Sequence, residues 1–339
     1  MKNLFRNMRL LSALALVLSI CVLTSCDSED ELVIGEWQPR ADFAGVARSS
    51  AVSFVIDGKA YVGTGYDGTK RLQDFWMYEP NANTWTKIAD FPGEARSAAV
   101  AFSANGKGYV GTGYNGSNYL NDFYEYTPSS NTWTRVADLP ASARFGAVAL
   151  SFSNSGYVGA GYDGTYLKDF WMYNAEEDNW VAQQEMSGAR RLNGFAFVAN
   201  GKGYIGGGIN NNVYNTDLIE FDPATGAWRN LKTLSTTDRS GGEFPVFSAG
   251  SLMGSFSVGS NGYLVNTGVN SAANTLELQV WKFDPATDTW TQLRKFRGPT
   301  RSSAVGFGIG DKGYFGLGMN TLDFKKDFWS LDPAVANKK

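Results

Sequence analysis

The residues whose type and spacing most clearly suggest a chemical role are arginines that recur at one position of a sequence repeat. Each is followed by an aspartate 25 or 26 residues later. A guanidinium forms two parallel hydrogen bonds with a carboxylate, so such an arginine either pairs with its own chain or faces an acidic ligand. The arginines are Arg48, Arg96, Arg144, Arg191 and Arg301. The aspartates are Asp74, Asp122, Asp169, Asp217 and Asp327.

One repeat lacks both charges. Gly250 stands at its arginine position and Gln279 at its aspartate position. This joint loss favours pairing within the chain, because a buried arginine without a partner is costly. A ring of ligand-facing arginines is the alternative interpretation.

An insertion carries a second group of candidate residues. The spacing from a repeated tryptophan to the next repeated tyrosine is 24 residues in four junctions but 35 from Trp228 to Tyr263. The 11 extra residues fall around 236–247 and include Asp238, Arg239 and Glu243. Loops on a rigid scaffold often carry binding sites, and a neutral surface insertion fits the pattern equally well.

Three tyrosines, each followed by a tight-turn pair, form a third group. Aromatic rings beside Asn and Asp suit sugar recognition, because ring faces stack on apolar sugar faces and polar groups bond hydroxyls. Packing between neighbouring loops is the alternative. The three segments are Tyr66-Asp67-Gly68, Tyr114-Asn115-Gly116 and Tyr162-Asp163-Gly164, and the other repeats have Ile209, Val269 and Met319 at the tyrosine position.

The chain contains no histidine. This excludes Ser-His-Asp catalysis and histidine-ligated zinc or copper. We therefore expect no catalytic metal and no cofactor. A sugar-acting enzyme built on this sequence would use carboxylate and arginine groups.

A repeat of about 48 residues positions all of these groups. Each copy predicts an arginine-led strand, a Tyr-x-Gly-x-Gly strand, an Asp-Phe-Trp-type strand and an outer strand with a tryptophan. Four short strands per repeat of this length are typical of a β-propeller blade. Six copies predict an all-β, six-bladed propeller, in which the repeated arginines, the aspartates and the 236–247 loop share one end. We call this end the arginine face, and the three tyrosines could line half of it.

The two ends of the chain predict how the ring closes. The sixth repeat stops at 327–333 without its outer tryptophan strand. Residues 37–48 align without a gap on residues 85–96, so the N-terminal strand around Trp37 should complete the last blade. This closure would cover the strand edges that an open ring exposes. We place the propeller at 35–333 and a C-terminal tail at 334–339.

The paired glycines with a spaced tyrosine and tryptophan resemble the kelch-repeat family over nearly all of the chain after its N-terminal segment. The resemblance implies the propeller but leaves function open, because one fold hosts many activities. The chain is distantly similar to the propeller of galactose oxidase, whose histidine copper ligands and cysteine–tyrosine crosslink have no counterpart here. It is also similar in blade count and secretion to bacterial N-acetylneuraminate epimerases, without an epimerase-specific motif.

Residues 1–25 have the order of a secretory signal. Lys2, Arg6 and Arg9 precede an apolar run at 10–22, which is shorter than a typical transmembrane helix. The following Leu-Thr-Ser-Cys resembles the lipobox of bacterial lipoproteins, which implies cleavage before Cys26 and lipidation of its sulfur. A plain secretory signal is the alternative.

The segment after the signal predicts a cell-envelope location. Cys21 lies within the signal, so a mature chain lipidated at Cys26 has no disulfide. Residues 26–34 read as an acidic tether that resembles the export tag of some surface lipoproteins, whereas Asp27 resembles an inner-membrane retention signal. We expect an outer-membrane lipoprotein of a Gram-negative bacterium, either surface-exposed or periplasmic.

The net charge of the chain limits the classes of partner that it could bind. Removing the signal leaves 27 basic and 33 acidic residues, a net charge near −6, which argues against nucleic acid. The first hypothesis is a non-enzymatic, monomeric binding or scaffold propeller for a glycan or an envelope protein, touching the membrane only through its lipid. The alternative is a metal-independent sugar epimerase that uses Glu243 as acid–base and Arg239 for a sugar carboxylate. A purely structural part of an envelope complex is a third possibility.

Overall fold

The computed structural model describes residues 32–234, 254–270, 275–321 and 323–338. Residues 34–335 form one unit, and residues 1–33 with 336–339 form a second, of which only 32–33 and 336–338 are described. The predicted signal 1–25, Cys26, the insertion at 236–247 and Gly250 lie outside the described residues.

The described chain forms six four-stranded sheets, which we number as blades 1 to 6. Blade 1 contains β2 (Val52–Ile56), β3 (Lys59–Gly63), β4 (Phe75–Glu79) and β5 (Thr84–Lys87). Blade 2 contains β6 (Val100–Ala104), β7 (Lys107–Gly111), β8 (Phe123–Thr127) and β9 (Thr132–Val136). Blade 3 contains β10 (Val148–Phe152), β11 (Ser155–Gly159), β12 (Phe170–Asn174) and β13 (Asn179–Ala182).

The second half of the ring departs from this regularity. Blade 4 contains β14 (Phe195–Ala199), β15 (Lys202–Gly206), β18 (Leu218–Asp222) and β19 (Ala227–Asn230), with a separate hairpin of β16 (Ile209–Asn210) and β17 (Val213–Tyr214). Blade 5 contains β20 (Gly254–Val258), β21 (Asn261–Asn270), β22 (Thr275–Asp284) and β23 (Thr289–Leu293). Blade 6 contains β24 (Val305–Ile309), β25 (Lys312–Gly316), β26 (Phe328–Lys338) and β1 (Leu32–Arg40).

The prediction of an all-β, six-bladed propeller is confirmed. The innermost strands contact one another in the cyclic order β2, β6, β10, β14, β20, β24 and back to β2. The part of the chain that the structure describes contains no helix. Accordingly, a search of these residues for a helix long and apolar enough to cross a membrane finds none.

The predicted closure by the N-terminal strand is also present, because β1 is the outermost strand of blade 6. Trp37 of β1 is buried in a cluster with Phe296, Phe315 and Leu331. The T-shaped contact between Trp37 and Phe296 has ring centroids 4.9 Å apart. Strand structure begins at Leu32 and ends at Lys338, so it extends into both segments expected to flank the propeller.

Neighbouring blades are held together by aromatic rings that fill the space above glycines. Phe54 of β2 packs over Gly108 of blade 2, where an added Cβ would lie 2.1 Å from its ring. Phe102 of β6 packs over Gly156 of blade 3 in the same way, at 2.0 Å. Burying one such side chain contributes about 1.5–3 kcal/mol. The repeated glycine therefore admits a large apolar side chain of the preceding blade, which is Leu150 over Gly203 in blade 4, and a larger residue would exclude it.

Candidate functional site

The repeated arginines are bound within their own blades. In blade 1 the Arg48 guanidinium donates to both carboxylate oxygens of Asp74, with Nη1–Oδ1 at 2.8 Å and Nη2–Oδ2 at 2.7 Å. It also donates to the carbonyls of Val46 and Thr64. Equivalent two-oxygen pairs are Arg96–Asp122, Arg144–Asp169 and Arg301–Asp327, whereas Arg191 donates only to Oδ2 of Asp217.

This geometry confirms the pairing inferred from the joint loss of both charges in one repeat. All five arginines are buried. Burial raises the pKa of the Asp74 carboxyl, but hydrogen bonds and charge from Arg48 outweigh it, so this pKa lies below its ordinary value. The same balance, with Arg301 as the partner, lowers the pKa of Asp327. The buried guanidinium groups act as structural partners and offer little to a ligand.

Blade 5 contains a different arrangement at the same position. Asn266 and Gln279 lie opposite each other in the β21–β22 register, where the other blades have the end of the second strand and the start of the third. Asn266 is buried, and its Oδ1 has no hydrogen-bond partner among the described residues. β21 and β22 are ten residues long, whereas β7 and β8 of blade 2 have five each.

The three predicted tyrosines lie half-buried on the arginine face. The hydroxyls of Tyr66 and Tyr114 donate to the carbonyl oxygens of Gly68 and Gly116, at 2.7 and 2.6 Å. The side chains that follow these tyrosines stabilise the loops. For example, Oδ1 of Asp67 accepts the N–H groups of residues 69 and 70, and these bonds, led by that of residue 70, lower the pKa of its carboxyl.

Asn115 and Asp163 accept backbone N–H groups in the same way. At Asp163, burial raises the pKa, but hydrogen bonds from Ser142 and Thr165 outweigh it and hold the pKa below its usual range. These three side chains shape the turns, as expected of Asx turns, and are not free to act as acid or base.

The tyrosines belong to a larger row of rings that we call the aromatic band. Consecutive centroids from Tyr114 to Tyr119, from Tyr119 to Tyr162 and from Tyr162 to Tyr166 are 5.7, 6.2 and 5.1 Å apart. Phe145 packs against Tyr119 at 5.1 Å. At the other end, Arg71 bridges Tyr114 to Tyr66, and Tyr66 contacts Phe324 of blade 6. The members are Phe324, Tyr66, Tyr114, Tyr119, Phe145, Tyr162 and Tyr166.

Both interpretations of the predicted tyrosines thus have a counterpart in the structure. Tyr66 and Tyr114 pack between loops and use their hydroxyls locally. Tyr162, together with Tyr119 and Tyr166, has a hydroxyl with no hydrogen-bond partner among the described residues. Tyr119, Tyr166 and Arg71 were missed by the sequence reasoning. Their common signal is a position four or five residues after the repeated tyrosine, at the other end of the same loop.

A cavity of about 460 Å³ lies at the end of the aromatic band, between blade 3 and the β16–β17 hairpin of blade 4. Arg190 lies at its exposed rim and donates from Nη1 to the carbonyl oxygen of Tyr166 at 3.1 Å. Among the described residues, the lining contains no Asp or Glu. The lining residues are Tyr162, Gly164, Thr165, Tyr166, Arg190, Asn210 and Asn211.

Two other cavities offer less chemistry. One, of about 110 Å³, is lined by small residues such as Ser50, Ala98 and Ala147 where the innermost strands begin. The other, of about 290 Å³, lies at the opposite end, between the first hairpins of blades 1 to 3. Within the described ranges, no group of three or more Cys, Asp or Glu side chains could hold a metal ion. Asp238, Arg239 and Glu243 lie outside those ranges, so their arrangement is not described.

Comparison with known protein families agrees with this architecture. The profile of the KLHDC2/KLHL20/DRC7 Kelch-repeats domain matches residues 36–139 and 91–246, which together exceed half of the chain. The protein therefore belongs to the kelch-repeat family of β-propellers. A search of curated proteins gave no match.

Proposed function

We propose that this protein is a non-enzymatic, glycan-binding propeller of the cell envelope, attached to the membrane by a lipid on Cys26. The observation that carries the proposal is the cavity at the end of the aromatic band. Tyr162 and Tyr166 supply rings and hydroxyls, while Asn210 and Asn211 supply amides. This combination matches a sugar, whose apolar face stacks on a ring while its hydroxyls exchange hydrogen bonds with amides and phenols.

Binding is favoured over catalysis by the composition of the lining. A sugar epimerase or hydrolase needs groups placed to move a proton, most often carboxylates or histidine. The part of the cavity lining that the structure describes has neither. The nearest loop carboxylate, Asp163, accepts bonds from Ser142 and Thr165. The alternative of an epimerase that uses Glu243 and Arg239 draws no support from the described residues.

A glycan is favoured over a protein partner by the surface of the same face. A protein-binding scaffold would expose a broad apolar patch. Among the described residues of this face, the large exposed apolar side chains are Val46, Val213 and Leu276, at 52%, 65% and 59% exposure. They lie in separate segments of the chain, before Arg48 and on the hairpins of blades 4 and 5, and single exposed apolar residues are ordinary for a surface. The arginine face is otherwise polar and aromatic.

The location in the envelope rests on the N-terminal sequence. The basic start, the apolar run and the lipobox-like segment that ends at Cys26 support export and lipidation. The tether that follows Cys26 would separate the propeller from the membrane. A lipidated binding module of this kind would hold extracellular or periplasmic glycans at the membrane surface.

The test is binding of soluble oligosaccharides to the chain carrying Cys26→Ser, which we expect to be released from the membrane fraction. A ligand that binds only the folded state at a hundredfold its Kd should stabilise it by about 2.7 kcal/mol and raise the thermal midpoint. Tyr166→Ala should abolish the shift. Val181→Ala, an exposed position on outer strand β13, is the matched control and should keep it. No shift with a broad panel of neutral and acidic oligosaccharides would overturn the proposal.

A further inference from the structure

Arg71 differs from the repeated arginines in its surroundings. It lies at the end of the blade 1 loop, where its guanidinium carbon is 4.4 Å from the ring centroid of Tyr114 and 5.3 Å from that of Tyr66. Its Nη1 packs against Gly116, where an added Cβ would lie 2.7 Å away. The guanidinium is thus held between rings from two neighbouring blades.

Among the described residues, the side chain of Arg71 has no anionic partner. Its Nε is buried without a hydrogen-bond acceptor, and no ion pair or side-chain hydrogen bond of Arg71 occurs within the part of the chain that the structure describes. Asp67, in the same loop, commits its carboxylate to backbone N–H groups. Every repeated arginine, by contrast, has its aspartate. A buried donor without an acceptor is unfavourable, and an anion bound at the half-buried guanidinium would offset this cost.

We propose that Arg71 binds the anionic group, a carboxylate or a sulfate, of an acidic glycan that lies along the aromatic band. This inference rests on the proposed glycan-binding function. The planar guanidinium matches the paired oxygens of either anion. Tyr66 and Tyr114 hold it by cation–π contacts, so little side-chain entropy is lost when the anion binds.

The band indicates how such a glycan would lie. From Arg71 the rings of Tyr114, Tyr119, Tyr162 and Tyr166 follow one another in steps of 4.4 to 6.2 Å, the scale of one sugar ring. An oligosaccharide with its acidic unit at Arg71 would reach the cavity near Tyr166. The site therefore selects a short acidic chain over a single neutral sugar.

The experiment compares three matched oligosaccharide series in the Cys26→Ser chain by calorimetry: neutral, uronic-acid-containing and sulfated. The wild type should bind at least one acidic series roughly 10- to 100-fold more tightly than the neutral series. Arg71→Gln should reduce that affinity to the neutral level. Arg71→Lys, which keeps the charge without the planar fork, should restore only part of the preference. Lys70→Gln, the adjacent exposed cation, is the control and should keep the full preference.

Ligand chemistry provides a test that needs no variant. Methyl esterification of the uronic acid should remove the preference in the wild type if a carboxylate is bound, and a preference for the sulfated series alone would assign the site to sulfate. Equal affinity for all three series would overturn the role of Arg71 while leaving the proposed function in place. So would an acidic preference that survives Arg71→Gln. Failure of every series to bind would overturn both.

Discussion

Blades 2 and 5 differ where their second and third strands approach the arginine face. In blade 2 the strands end after five residues, and Arg96 donates to Asp122 and to the carbonyl oxygen of Thr112 just beyond the strand. In blade 5 the strands continue, with Asn266 opposite Gln279 and further pairs beyond them. The arginine therefore satisfies backbone and carboxylate groups where the ladder stops, and it is dispensable where the ladder continues.

This difference separates two uses of positive charge. The arginine–aspartate pair stabilises the short-stranded blades and leaves their loops free to vary. Arg71, which is not part of the repeat, projects from one such loop into the aromatic band. The charged residues that recur in the repeat are structural. The residues available to bind a ligand are those that differ from blade to blade.

The largest effect should follow from breaking one pair in blade 2. Asp122→Ala leaves Arg96 buried without its partner and should lower the free energy of unfolding by about 3–5 kcal/mol. Gln279→Ala at the equivalent position of blade 5 should lower the free energy of unfolding by about 1 kcal/mol or less, because it leaves no buried charge without a partner. Urea denaturation of both variants measures the difference. Equal losses would show that the two blades do not differ in the way described.

A double variant serves as the control for this prediction. Arg96→Met with Asp122→Leu removes both charges and keeps apolar volume, so it should be more stable than Asp122→Ala alone. If the double variant is less stable than Asp122→Ala, the hydrogen bonds from Arg96 to the backbone contribute more to stability than the neutralisation of its charge by Asp122.

Acid should destabilise the paired blades. The pKa values of Asp74 and Asp327 are lower in the folded protein than the unfolded value of about 3.9. Their contribution to stability is therefore complete above that unfolded value and is lost as the pH falls through the lower folded values. The free energy of unfolding, measured from pH 7 to pH 2, should fall less steeply in Asp74→Asn than in the wild type. Identical slopes would contradict the role of the pair.

Sequence reasoning predicted the parts of the molecule that repeat. Six copies of the glycine strand were sufficient for the fold, the ungapped match of 37–48 on 85–96 predicted the closure, and the joint absence of both charges in one repeat predicted the pairs. It did not find Arg71, because the contact that matters joins a blade 1 side chain to Tyr114 of blade 2. The distance between Arg71 and Tyr114 depends on how neighbouring blades pack against each other, and the residue spacing within one repeat does not determine this packing.

The cavity near Tyr166 was missed for a related reason. It forms between the blade 3 loop and the β16–β17 hairpin, an element peculiar to blade 4. The three repeated tyrosines were visible as a pattern, but only Tyr162 lines the cavity. Gly164 belongs to the same repeated segment, but Arg190, Asn210 and Asn211 have no counterpart in the other repeats, so a comparison among repeats could not distinguish them from ordinary loop residues.

The central claim is that the repeated arginines of the arginine face are structural, whereas Arg71 is directed at a ligand. Its most direct test measures stability and acidic-glycan affinity in the same two variants, Arg96→Gln and Arg71→Gln. We predict that Arg96→Gln lowers the free energy of unfolding by about 3–5 kcal/mol, whereas Arg71→Gln leaves it within about 1 kcal/mol and abolishes the preference for acidic oligosaccharides. Retained acidic preference in Arg71→Gln, or a stability loss there as large as in Arg96→Gln, would contradict the account.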